Sequence, residues 1–407
     1  MKSIYLDHAA TTPVRPEVIE AMTPFFSDVF ANPSSLHLSG QRARRVLEEA
    51  RETVASCLGA SPEEIIFTSG GTESDNLALK GVLRATRGKH VVVSAVEHRA
   101  VLNAARALAE CGIEVTLAPV NSSGVVDIEA LRKLIRPDTT LVSVMLGNNE
   151  TGVLQPVQEI AALTRRVGVA MHTDAVQATG KMPVNVAALG VDLLSISAHK
   201  FNGPKGVGAL YARRGTRFAG LLHGGHQERQ RRAGTENLPG IVGLAKAMDL
   251  ACGEMPEQSA RLSALRDRLE HGILESIPGV HVNGHPAPRL PQILNTGFDG
   301  INADELLLAL DVRGVSASAG SACMAGAMEG SHVLGAMGLR PELSKGSLRF
   351  SLGRGNTAEE VDQVLAILRD VVGVLRRMSA EAEGSGSESR CGADCSCFRS
   401  LRPEAHH

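Results

Sequence analysis

Between residues 65 and 211 the chain alternates short aliphatic and β-branched runs with stretches of helical period. The runs are EIIFTS, HVVVSAV, IEVTLAPV, TLVSVML, VGVAMHTD, VDLLSIS and GVGALYARR, and helices are expected over 76–83, 100–111 and 156–167. Strands this apolar are buried on both faces, so the alternation predicts an α/β fold with a mostly parallel sheet covered by helices on either side. A helix from 238 past 248 follows, then a polar stretch at 254–259 and a charged helix at 260–276. Strand candidates near Val280, Ile293, Val315 and Leu348 and a helix over 358–377 suggest a smaller α+β domain.

The expected organisation is therefore a large domain over 16–255, a small domain made of 1–15 and 256–378, and a tail over 379–407 rich in Gly, Ser, Glu and Cys. From the pattern alone the N-terminal segment joins either domain. A length of 407 residues suits one large domain and one smaller one. Hydrophobic residues at 43% and charged residues at 21% exclude a mostly disordered or coiled-coil chain. With no Trp, two Tyr and a net charge of −2, stacking platforms and global attraction for phosphate backbones are lacking, and no nucleic-acid partner is expected. Nothing approaches a membrane-spanning run or a secretory h-region, so a cytoplasmic protein is expected, and seven cysteines fit reduced thiols better than a disulfide framework.

In a doubly wound sheet, ligands bind beyond the carboxyl ends of the strands. Residues with chemistry collect there. EIIF leads into Thr68-Ser69-Gly70-Gly71-Thr72-Glu73, a Gly-rich turn opening a helix, where backbone N–H groups and the helix dipole favour an anion such as phosphate. HVVVSAV is followed by Glu97-His98, TLVSVML by Gly147-Asn148-Asn149-Glu150, VGVAMHT by Asp174-Ala175-Val176-Gln177, and VDLLSIS by Ala198-His199-Lys200. Singly, each has a plain structural use: His98 as a helix cap, Asn149 as a turn former, Asp174 as a strand-end cap, Lys200 as a solvated charge. Together they supply an amine, a carboxylate, an imidazole, amides and an anion cradle, which are the groups pyridoxal phosphate needs.

The motifs YLDHAATTP (5–13), ANPSS (31–35), FTSGGTESDN (67–76), EHRAV (97–101) and GNNETG (147–152) continue with TDAVQ (173–177), SAHKFNGPKGVGALY (197–211), RAGTEN (232–237), GSAC (320–323) and RFSLGR (349–354). In this order the chain resembles the cysteine desulfurases of the NifS/IscS group, class V enzymes of pyridoxal phosphate fold type I. The resemblance implies a homodimer that converts L-cysteine to L-alanine and passes sulfur to acceptors such as iron–sulfur scaffold proteins. It assigns Lys200 as the Schiff-base lysine and proton carrier, Asp174 as partner of the pyridine nitrogen, Gln177 as partner of the ring oxygen, and His98 as the stacking imidazole and acid/base. Gly71, Thr72, Ser197 and His199 are similar to phosphate ligands, and Thr235 to the threonine that reaches the phosphate from the other subunit. Asn149 and Arg349 correspond to contacts of the substrate carboxylate. Cys323 corresponds to the thiol that takes the sulfur as a persulfide, with His98 as acceptor of the thiol proton. Cys323 lies in a stretch where 13 of 18 residues, 314–331, are Gly, Ala or Ser, which suits a movable loop.

Gly330 and Gly355 depart from the family pattern, and the C-x3-C-x-C of Cys391, Cys395 and Cys397 is foreign to it. Those thiols read as a zinc site completed by His406, as a sulfur relay or as an inert tail. A selenocysteine lyase, a cysteine sulfinate desulfinase and a transaminase remain rival activities, and a scaffold or carrier that kept the fold is a rival of another class.

Overall fold

The computed structural model describes residues 3–320 and 330–385, the last few by backbone alone. Seven strands form the central sheet: β2 (Ile65–Thr68), β3 (His90–Ser94), β4 (Glu114–Ala118), β5 (Thr139–Ser143), β6 (Ala170–Asp174), β7 (Leu193–Ser197) and β8 (Gly208–Ala212). Their spatial order is β2-β8-β7-β6-β5-β3-β4, parallel throughout except β8, which runs against both neighbours. The pleat sorts their side chains. Val91, Val93, Leu141, Leu193 and Leu210 pack on one side with α2 (Gly71–Thr86) and α3 (Arg99–Glu110). Val92, Val142, Leu194, Ile196 and Ala209 face the other side, toward α1 (Leu38–Leu58), α4 (Val157–Arg166) and the first half of α5 (Leu238–Ser276). Both faces being covered, the inner strands read as continuous apolar runs; the edge strand β4, expected to be buried like the rest, instead exposes Glu114 and Leu117.

A second core gathers β12 (Ser347–Ser351), β10 (Ile293–Phe298) and β9 (Val280–Val282), paired antiparallel in that order, under α6 (Ala303–Val312) and α8 (Ala358–Ser385). Leu262, Leu265, Leu269 and Ile273 of α5 fill it together with Leu294, Phe298, Phe350 and Leu368. The N-terminal segment, left open by the pattern, belongs here at its start: β1 (Ile4–Tyr5) pairs in parallel with β11 (Val315–Ser316), and Ile4 and Leu6 enter the second core. Residues after Leu6 then run toward the carboxyl ends of β6 and β7.

One expectation fails. The polar stretch at 254–259 does not separate two helices, because α5 is one helix of 39 residues with Pro256 inside it. The missing proline N–H removes one rung, yet the polar side chains there have partners. Glu254 pairs with Arg15 at 2.9 Å and with Arg354, and Ser259 bonds the Lys181 carbonyl. Polarity here marks ion pairs at the junction of the two cores, not a linker. The helix α1, which the pattern left unassigned, buries Ala43, Leu47, Ala50 and Val54 along one stripe and ends on the left-handed Gly59.

Candidate active site

The carboxyl ends of β2, β3, β5, β6 and β7 open on the same side of the sheet. At β2 the chain turns through Gly70, whose φ of 153° excludes a side chain, into the N-terminus of α2. A Cβ on Gly71 would lie 2.9 Å from Val176 Cγ2, and Ser197 flanks both glycines. The turn is therefore an open cradle of backbone N–H groups with the Ser197 hydroxyl beside it. Thr72 is exposed in the first turn of α2.

Asp174 ends β6 and is 5% exposed; one carboxylate oxygen accepts the Val176 N–H at 2.8 Å. Burial raises its pKa to about 6, opposed by that N–H and by the Lys200 ammonium. Lys200 follows β7, and its Nζ donates to the carbonyls of Ala9 at 2.6 Å and Ala10 at 2.9 Å. Gln177 Nε2 donates to the same Ala9 carbonyl at 2.9 Å. His199 follows the same strand, its Nδ1 3.1 Å from Thr11 Oγ1. The YLDHAATTP segment thus lines the chamber from the second core and holds the amine in place.

His98 has both of the uses read from the sequence. As N-cap of α3 its Nδ1 accepts the Ala100 N–H at 3.1 Å, while the ring stands beside the acids: one nitrogen of His98 and one oxygen each of Asp75 and Asp174 lie within 4.8 Å of one another. The cap fixes the tautomer, since an Nδ1 that accepts leaves the proton of the neutral ring on Nε2. Burial, then Lys200, lowers its pKa to about 4. So held, the ring is an Nε2–H donor and a poor base at neutral pH.

Arg349, on β12, is 2% exposed and donates to Asp7 at 2.7 Å and to the Asn149 carbonyl at 2.8 Å. Among the described residues its Nε and the Asn149 Oδ1 are buried without partners. Buried polar atoms seldom stay unpaired, so these two mark where a ligand's polar groups belong. Thr235 is exposed and lines a cavity of about 100 Å³ beside Thr68, Ser69 and Arg232 of its own chain, away from the acids. Cys323 lies outside the described residues, as do Cys391, Cys395, Cys397 and His406.

Several residues that the motifs contained but sequence reasoning did not single out belong to this site. Asp75 and Glu97 are fully buried carboxyls, both pushed well above the usual range by burial and by Asp174. His172, with Ser143 at 2.8 Å and Ser195 at 3.0 Å, backs Asp75 at 3.6 Å. Glu150, 1% exposed, accepts the Ser331 hydroxyl, and a Cβ on Gly320 would come within 3.0 Å of the same oxygen. Ser331 also caps α7 (His332–Ala336), and His332 Nε2 donates to the Glu97 carbonyl at 2.9 Å. The two flanks of the Cys323 segment are thereby tied to the motifs GNNETG and EHRAV. The one available signal was a carboxylate within an otherwise neutral strand-end motif.

A doubly wound sheet with an amine, a carboxylate and an anion cradle at its strand ends defines a cofactor-dependent α/β enzyme. Residues 4–364 match the aminotransferase class-V family, and the chain belongs to it. It is 51% identical over 380 residues to a protein named cysteine desulfurase IscS from Methanosarcina thermophila, covering 93% of this chain and 94% of the relative. Among solved structures it resembles a NifS-like protein at 40% identity and TM-score 0.86, covering 91% of this chain and all of the other. It also resembles one described as SspA in complex with cysteine at 36% identity and TM-score 0.76, covering 86% and 99%. The fold is pyridoxal phosphate fold type I, and pyridoxal phosphate is the family's cofactor. The chamber fits it: an anion cradle at Gly70 and Gly71, an ionisable carboxyl at Asp174 for a ring nitrogen, and an amine at Lys200.

Proposed function

We propose that the protein is a pyridoxal phosphate-dependent cysteine desulfurase that releases L-alanine from L-cysteine and loads the sulfur on Cys323. The observation that carries this reading is the convergence of Lys200, Asp174 and His98 in one chamber with the unpaired Arg349 Nε and Asn149 Oδ1. When bound, the cofactor supplies an electron sink for bonds broken at the substrate α-carbon. Gly71, Thr72, Ser197 and His199 would hold its phosphate, Asp174 its ring nitrogen and the Gln177 amide its ring oxygen. His98 covers the ring and offers Nε2–H as a donor. Arg349 and Asn149 bind the substrate carboxylate, Arg349 through the guanidinium edge that Asp7 and the Asn149 carbonyl leave free and Asn149 by donating its Nδ2–H, since its Oδ1 can only accept. Lys200 Nζ takes the proton from the substrate α-carbon.

At Cys323 the balance is one C–S bond broken and one S–S bond made, giving alanine and a persulfide. The persulfide sulfur then passes to an acceptor, for which an iron–sulfur scaffold protein is our reading. The domain division at 255/256 is supported by the two cores, with α5 shared between them. A homodimer is supported by Phe26, Phe30, Leu36 and Leu38, which are 68%, 76%, 91% and 83% exposed within one short stretch, and Thr235 reaches the partner's phosphate in it. A cytoplasmic location accords with the fact that no helix among the described residues is long and apolar enough to cross a membrane.

Cys323→Ser tests the mechanism. It should keep the cofactor's visible absorption and lose sulfur transfer from L-cysteine. Undiminished desulfuration in that variant would favour a lyase or desulfinase that bypasses the protein thiol. Alanine released in equal amount to transferred sulfur separates the reaction from transamination, and a wild type that takes up no cofactor would favour the carrier.

A further inference from the structure

Outside the lining of the chamber, α1 and α5 pack together and each brings a cysteine to the contact. Cys57 sits at the end of α1, two residues before the left-handed Gly59, and Cys252 sits midway along α5. The two thiols are hydrogen-bonded to each other, both side chains are partly exposed, and both lie on the rim of the same apolar cluster. The sites are remote in sequence but share one packed helix interface, so neither sulfur has to travel far to meet the other. Each thiol is the other's nearest titratable neighbour, so removing the proton from one is felt by the other. Asp249, one turn earlier on α5, is the charged neighbour of both, and it pairs with Lys246 at 3.8 Å. Whichever sulfur is oxidised first, the other stands beside it to resolve it.

We propose that Cys57 and Cys252 are a modification site of their own: a dithiol that a hydroperoxide converts to an intrachain disulfide stapling α1 to α5. One of the two thiolates attacks a peroxide oxygen, the O–O bond breaks, and a sulfenic acid forms as hydroxide leaves and is protonated to water. The other thiol then attacks that sulfur, the S–O bond breaks, and a second water leaves. Two thiols lose two electrons and two protons, and the peroxide takes them up. A thiol reductant reverses the change. The site does not depend on the desulfurase reading, because neither sulfur belongs to the cofactor chamber.

The test is a disulfide map of the full-length holoenzyme after limited hydrogen peroxide, with remaining thiols alkylated and all seven cysteines followed by mass spectrometry. The expected result is a peptide linking Cys57 to Cys252 within one chain, lost on reduction and absent from Cys57→Ser and from Cys252→Ser. The closed loop is long, so oxidised wild type should melt about 4 °C or more above the reduced protein, a shift that Cys252→Ser does not show. Full alkylation of both thiols after peroxide, separate sulfinic acids on them, or a bond from either to another cysteine or another chain would overturn the proposal. Because the wild-type map decides by itself, a variant that fails to fold leaves the test intact.

Discussion

A single carboxyl, Asp174, shows how function and stability oppose each other here. It is buried, its pKa is raised to about 6, and Lys200 is the cation that favours its charged form. A carboxyl with a folded pKa above its ordinary 3.8 costs the folded chain stability above about pH 6, and the cost fades as pH falls toward 4. Cofactor-free Asp174→Asn should therefore be more stable than cofactor-free wild type at pH 7.5, by about 3 kcal/mol at most, with the gap closing near pH 4. The same variant should bind the cofactor weakly and lose about 10³-fold in activity, because nothing then keeps the ring nitrogen charged. Lys200→Ala should remove the visible absorption of bound cofactor and the activity together. Histidines run the opposite way. His172, fully buried with a pKa lowered to about 3, stays neutral in the folded chain, and its contribution is lost as pH falls from 6.5 through 3. His172→Asn should move the acid-unfolding midpoint to lower pH.

At the level of elements, much was legible because the sheet announces itself. Each strand run was apolar enough to be seen, and the chemical residues stand at strand ends, where a Lys, Asp or His is conspicuous. What stayed hidden depends on partners distant in the chain. Asp7 against Arg349 and Glu150 between Gly320 and Ser331 are contacts no local pattern contains. The polar stretch at 254–259 misled in the other direction, since polar residues between two helical patterns read as a boundary until their ion-pair partners are known. Glu150→Ala should slow sulfur loading of Cys323 about 10-fold or more while leaving cofactor absorption unchanged, with Glu150→Gln less affected, as measured by persulfide mass on Cys323 after brief exposure to L-cysteine. The segment carrying Thr235 has its own anchor. Glu228 is held in a left-handed conformation, φ 46°, with its buried carboxylate on Arg51 at 2.8 Å and on the Phe67 N–H at 3.0 Å. Removing one partner of a buried pair strands the other, so Glu228→Ala should cost about 3 to 5 kcal/mol in denaturant unfolding.

For the molecule as a whole, the two cores are joined by more than chain connectivity. The segment after Leu6 passes from the second core to the amine at Lys200, while Arg349 reaches back from β12 to Asn149 beyond β5. The substrate chamber thus takes walls from both, and any shift of one core against the other changes the distance between carboxylate binder and amine. Such a shift meets α5, whose first half is buried in one core and whose second half fills the other. A helix used in this way acts as a common spar. Cutting the gene at 255 would leave each fragment with half a helix and an uncovered apolar stripe, so the pieces should be insoluble alone and should recover only when made together.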